Sequence, residues 1–388
     1  MHRTAGTLLS LLLAVCASTV LASAQTTSSP TDSSPIRSVN SVASSTLSAY
    51  VYVANSPSSG KQQIKGYIAA SDGSLTKMPA SPFALTNDYR IAVNGKWLFG
   101  TDGINIHSFS IGKNGTLKLA DTLEVESNGG LSNLFLDHTG TSLYTDYYTT
   151  NNEYLAYSID NSSGQLAYID NIMGGTTIGN VTSFVGNDEY AYSSSCYHFT
   201  PEIYGIQRSS DGAIVQLNIT PPFPATPQPG FYCPYGAAAD PTNHVAIAMQ
   251  LLTGNWAPAG PWQLAAYTAD SSGNLTTTST YQNMPSVLVG SVNDYWMSPS
   301  GKFLAVAGTT GLQVFHFNGA SPITKYTNKL VKQDVDQVFW DNSNHLYALG
   351  RAAGQLWVFT VTSTGVTQAP GSPYAITGAD YLVVLPTT

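Results

Sequence analysis

Residues 154–169 read YLAYSIDNSSGQLAYI: an apolar alternating run, a polar turn led by Asp160 and containing Gly164, and a second run that begins at Leu166. Alternation at period two argues for strands, and a short polar turn carrying glycine joins two strands into a hairpin. The phrase, ID-x-x-x-G-x-L or a close variant, returns as QIKGYIAASDGSLTKM (63–78), NIHSFSIGKNGTLKLA (105–120) and EIYGIQRSSDGAIVQL (202–217). It returns again as QLAAYTADSSGNLTTT (263–278), GLQVFHFNGASPITKY (311–326) and QLWVFTVTSTGVTQAP (355–370). That makes seven copies, with starts 42 to 61 residues apart.

A second phrase, strand–turn–strand, lies between consecutive copies: YRIAVNGKWLFGT (89–101), LFLDHTGTSLYTD (134–146), TSFVGNDEYAYSS (182–194), GAAADPTNHVAIA (236–248), YWMSPSGKFLAVA (295–307) and VFWDNSNHLYALG (338–350). The seventh instance is split between the two ends of the chain. LSAYVYVAN (47–55) holds its second strand and GADYLVVLP (378–386) its first. Each unit is thus four short strands, the size of one propeller blade and too long for a leucine-rich or ankyrin repeat. The predicted fold is all-β: a seven-bladed propeller over 47–388, closed when the C-terminal strand completes the blade begun at the N-terminus, which leaves no open edge.

The phrases D-x-x-G-x-x-L-Y (137–144) and YVYVAN (50–55), alternating with the ID-x-x-x-G-x-L hairpins, resemble the lactonase-type and YVTN-repeat seven-bladed propellers. The resemblance spans 47–386. It implies the fold and raises lactone hydrolysis or cyclisation as activities, because that family includes phosphogluconolactonases and carboxymuconate cyclases. Its motifs are turn and strand residues, so chemistry has to be argued from a site.

Composition narrows the partners. Fifteen Lys+Arg stand against 23 Asp+Glu, a net charge of −8, so no basic face is available for nucleic acid. The first residues, MHRTAGTLLSLLLAVCASTVLASAQ, combine basic residues, a short apolar run and Ala22-Ser23-Ala24, the pattern of a cleaved export signal over 1–24. The Ser/Thr/Pro-rich stretch 25–46 reads as a disordered tether. No segment is long and apolar enough to span a membrane. The expected location is secreted or periplasmic, and the expected state a monomer.

In a propeller the B–C loops and the D-to-A connections share one face, and the A–B and C–D turns share the other. Cys196 follows strand B of the fourth unit and Cys233 precedes strand A of the fifth, so both fall on the first face. A disulfide strap across the long 202–263 spacing is expected, removing roughly 3 kcal/mol of unfolded-chain entropy. The alternative is a Cys196–His198 nucleophile and base, which no flanking thiol-enzyme signature supports.

The same face gathers aromatic residues: Tyr147 and Tyr148, Tyr197 and Phe199, Phe231, Tyr232 and Tyr235, then Trp256 and Trp262. Such rings can stack on a sugar, another small molecule or a protein partner, or else pack the loops onto the blades. Asp-Tyr recurs at the start of strand A as Asp88, Asp294 and Asp380 followed by tyrosine, with Asn133, Thr182 and Gln337 near the equivalent place. These side chains either ring the channel mouth, holding a cation or a polar ligand, or cap their own connections. His198 is the one histidine placed to act as a base toward a lactone carbonyl; His138, His244 and His345 read as solvent-facing turn residues. Of the arginines only Arg90 and Arg351 fall near the channel, too few for a phosphorylated substrate. No cofactor motif or zinc spacing is present. The leading expectation is a ligand- or partner-binding module using the aromatic face, and the alternative a hydrolase or cyclase of an uncharged lactone.

Overall fold

The structure is a computed structural model that describes residues 46–56, 62–84, 86–125, 130–148, 152–173, 181, 183–197 and 200–387. The expected export signal, nearly all of the tether, and His198 lie outside the described residues. Seven antiparallel sheets follow one another along the chain and around a central channel. The third blade shows the plan: strands Gly130–Leu136, Ser142–Tyr148, Asn152–Ile159 and Leu166–Met173 run from axis to rim as A, B, C and D. No helix occurs among the described residues, and none is therefore long and apolar enough to cross a membrane.

The ring closes as expected. Ala379–Pro386 is strand A of the first blade and pairs antiparallel with Leu47–Asn55, in register from Ala49 opposite Pro386 to Tyr52 opposite Val383. Blades 1 and 7 each add a short fifth strand against strand C, Phe83–Ala84 and Tyr374–Ala375, and the fourth blade departs from the plan in the other direction. In the fourth, strand B (Tyr190–Tyr197) is joined to C and D, but strand A is reduced among the described residues to one bridge, Phe184 to Ala191.

Local chemistry explains why each turn sits where it does. In the A–B turns of blades 3, 5 and 7 a carboxylate folds back onto the chain: Asp137 accepts from the amides of Thr141 and Ser142, Asp240 from Thr242 and His244, Asp341 from Ser343 and His345. This is how Asp stabilises turns generally. It also corrects the expectation for His345, which is buried, its Nδ1 2.7 Å from Asp341. The turn brings residue i+4 back under its own aspartate, so the imidazole follows the carboxylate inward.

The apolar residues form seven buried clusters, one between each pair of neighbouring blades. The two repeated phrases meet across these interfaces. Tyr52, Tyr144 and Tyr192, on the B strands of blades 1, 3 and 4, each donate a hydrogen bond to a glycine carbonyl in the C–D turn of the next blade: Gly115, Gly212 and Gly273, at 2.8, 3.0 and 2.8 Å. These glycines have φ of 77°, 93° and 79°, which other residues rarely adopt. In YVY (50–52) and YAY (190–192) the first tyrosine lies over the same glycine, so close that a Cβ on Gly273 would sit 2.7 Å from the Tyr190 ring.

Candidate functional site

Strand A runs from the B–C-loop face toward the A–B turns, so its first residues surround the channel mouth. A cavity of about 590 Å³ occupies that mouth. Blades 1, 2 and 6 contribute Asp380 and Tyr381, Arg90, and Asp294; blades 4 and 5 contribute Ser194, Ser195, the Cys196–Cys233 pair and Trp262.

Asp294 stands where a carboxylate loses hydration. Burial pushes its carboxyl up to about 7, although the Val338 amide donates to Oδ2 at 2.9 Å and opposes the shift. Asp146, behind the wall in blade 3, is also raised by burial, opposed by the Ser132 hydroxyl that donates to it and by the charge of Arg90. Arg90 itself is held between two rings, 5.4 Å from the centre of Tyr89 and 5.1 Å from that of Tyr381. One of its Nη1 hydrogens goes to the Tyr89 carbonyl, and among the described residues it makes no ion pair. Tyrosine faces stabilise a guanidinium without consuming its in-plane donors. Arg351, in contrast, is committed to Asp336 at 2.9 Å. Burial raises the Tyr381 phenol; Asp294 and Asp146 add to that rise and Arg90 opposes it, so these charges share one neighbourhood. Ser195 Oγ and Asp380 Oδ2 are buried with no hydrogen-bond partner among the described residues.

The residues singled out in the sequence divide by location. Asn133, Asp294, Asp380 and Trp262 stand in the wall of the mouth; Asn133 also donates to the Val181 carbonyl at 3.1 Å, and Trp262 packs edge-on against Tyr235. Asp88 does not: it is buried beneath strand C, 2.7 Å from His107 Nδ1. Burial there opposes a charged imidazole, but the bond to Asp88 and its charge prevail, and the His107 pKa is raised. Tyr147 and Tyr232 are buried in the inter-blade clusters rather than exposed on loops. The reason is strand length: strand B of blade 3 runs to Tyr148, and strand A of blade 5 already begins at Phe231, so alternation turns both rings inward. Trp256 packs edge-on against Phe231 and lies outside the mouth wall. The side chain of Tyr197 lies outside the described residues.

The strap is present. Cys196 and Cys233 are disulfide-bonded with Cα atoms 5.3 Å apart, joining strand B of blade 4 to strand A of blade 5. Ser194 adds a bond to the Gly236 carbonyl at 2.8 Å across the same seam. Cys233 sits within strand A, not in the connection before it. Among the described residues no three His, Cys, Asp or Glu side chains are arranged to hold a metal ion.

Ser195 and Trp296 also stand in the mouth wall, although the sequence patterns did not single them out. For Trp296 the available signal was the strand-A position of Asp294: two residues on, a side chain points to the same face of the strand.

No protein-family model matches the chain, and no curated protein matches it by sequence. Solved structures do. A putative 6-phosphogluconolactonase from Bacteroides uniformis superposes with a TM-score of 0.66 at 14% identity, over 88% of this chain and 100% of its own. The fold is that of the lactonase-like propellers. A second putative 6-phosphogluconolactonase, from Bacteroides fragilis, gives 0.63 at 14% identity over 87% and 98% of the two chains. The periplasmic gluconolactonase of Pseudomonas aeruginosa gives 0.63 at 14% over 87% and 99%. At such identities this lactonase-like propeller shares architecture with them, and its chemistry rests on its own mouth residues.

Proposed function

We propose that the mouth cavity binds a small oxygen-rich molecule carrying at most one negative charge, and that the protein hydrolyses a lactone there. The observation that carries this reading is the pairing, in one cavity wall, of Asp294, a carboxyl raised to about 7, with Arg90, a guanidinium that has no carboxylate partner among the described residues. A base poised near neutrality, in the same cavity wall as an arginine with no carboxylate partner among the described residues, is a combination acyl transfer can use. Ionised Asp294 takes a proton from water, and the resulting hydroxide attacks the lactone carbonyl. Arg90 donates to the oxygen that becomes negative. The ring C–O bond then breaks, Asp294 returns its proton to the departing alkoxide, and the product is a hydroxy acid. A single unpaired arginine suits a carbonyl or one carboxylate and gives a doubly charged phosphate too little compensation. The names of the structural neighbours, gluconolactonase among them, support the reaction class.

Exported location is supported by the disulfide, which persists in oxidising compartments, and by the periplasmic neighbour.

The test is turnover of a panel of uncharged and phosphorylated lactones by wild type, Asp294→Asn and Arg90→Gln. Expected is hydrolysis of uncharged members, lost by about 10²-fold or more in both variants. Hydrolysis that survives both substitutions, or no hydrolysis of any member, overturns the reading. Binding without turnover would leave a binding module.

A further inference from the structure

The mouth cavity continues inward. A second cavity, of about 540 Å³, opens on the A–B-turn face, and Asn133, Trp296 and Tyr381 stand in the walls of both. The two are consecutive segments of the central channel, and the strand-borne parts of their walls differ in character. Three separate A strands repeat the same order: Asp294 then Trp296, Gln337 then Phe339, Tyr381 then Val383, the first of each pair at the mouth and the second in the inner cavity. Residues two apart on a strand point the same way about 7 Å apart, so each strand turns from polar to apolar as it descends. Blades 2 and 3 add Val93 and Leu136 to the inner wall. These last two, with Trp296 and Phe339, remain partly exposed although they belong to the innermost strands. Their apolar surface therefore faces open channel, with the Trp296 and Phe339 rings 5.1 Å apart along one side.

A plug that served only to fill the axis would bury these side chains. An apolar stretch of strand wall that follows a polar mouth, and ends at polar turn residues such as Asn94, Lys96 and His138 on the far face, is instead the shape of an amphipathic ligand. We propose that the molecule taken at the mouth carries an unbranched apolar chain, which threads past Trp296 and Tyr381 into the inner cavity. This deepens the lactone reading and rests on it: the substrate is an alkyl-substituted lactone, or the hydroxy acid it yields, rather than a bare sugar lactone.

The test is calorimetric binding of a homologous series of γ-lactones with alkyl chains from methyl to octyl, beside alkyl methyl ethers of matching length that lack the ring. Wild type and two inner-wall variants, Leu136→Gln and Phe339→Gln, are compared; either variant serves if the other fails to fold. In wild type each added methylene should tighten binding about fourfold until the chain reaches the far face. In the variants that increment should shrink, while the affinity of the methyl member stays unchanged. A methyl lactone that binds with no gain from chain length overturns the inference and leaves the mouth site standing. Failure of every lactone to bind overturns the inference and the reading beneath it together. Ethers that bind as tightly as the lactones overturn the link between head and chain.

Discussion

Asp294 illustrates how one carboxyl couples stability to function. Its folded pKa of about 7 lies above the ordinary carboxyl value of 3.8, so between about pH 4 and 7 the folded state holds a proton that the unfolded chain has released. Its contribution therefore falls as pH rises through that window and is flat above it, whereas the catalytic base form appears only as pH approaches and passes 7. Asp294→Asn should raise the melting temperature more at pH 8 than at pH 4 while abolishing turnover. A melting difference that is the same at both pH values would remove the buried acid from the account. Tyr192 and Gly273 offer a second check at this scale. Tyr192→Phe leaves the Gly273 carbonyl without its 2.8 Å donor and should cost about 1–3 kcal/mol by urea titration. Gly273→Val should cost more, because positive φ and the Tyr190 ring both oppose the side chain.

Among elements, the seam between blades 4 and 5 is the one to probe. There the innermost strand of blade 4 is reduced to the Phe184–Ala191 bridge, and the Cys196–Cys233 bond ties strand B directly to the next blade. With a sequence separation of 37 between the two cysteines, the bond should contribute about 3–4 kcal/mol by the chain-entropy account. The Cys196→Ser/Cys233→Ser variant should lose that amount in denaturant titrations and become insensitive to reductant. Equal midpoints for reduced and oxidised wild type would contradict the role given to the strap. The strap and the blades were legible because they depend on local patterns: turn residues, alternation, cysteine placement. Tyr147 and Tyr232 were misread for a local reason too, since two strands extend further than their apolar alternation showed.

At the scale of the whole molecule the site is a product of closure. Arg90 and Tyr381 lie at opposite ends of the sequence, and they stack only because the last strand returns to sit beside the second blade. No spacing motif could have announced that pair, nor the change from polar mouth to apolar inner channel, which several distant strands compose jointly. Deleting 379–388 should remove Leu382 and Val384 from the cluster between blades 7 and 1 and expose Leu47–Asn55 as an unpaired edge. The truncated protein should aggregate and lose cooperative unfolding by circular dichroism. A truncated chain that stays monomeric and melts like the intact one would contradict the closure.

The register of that closing pair has a consequence for how the protein can be attached to anything. Leu47 begins its strand, and Pro386 ends its own, at the A–B-turn end of the ring, while Asp380 marks the opposite end. A label, a fusion partner or a solid support joined directly before Leu47 or directly after Pro386 therefore leaves from the A–B-turn face. The mouth then looks outward, clear of whatever holds the protein in place.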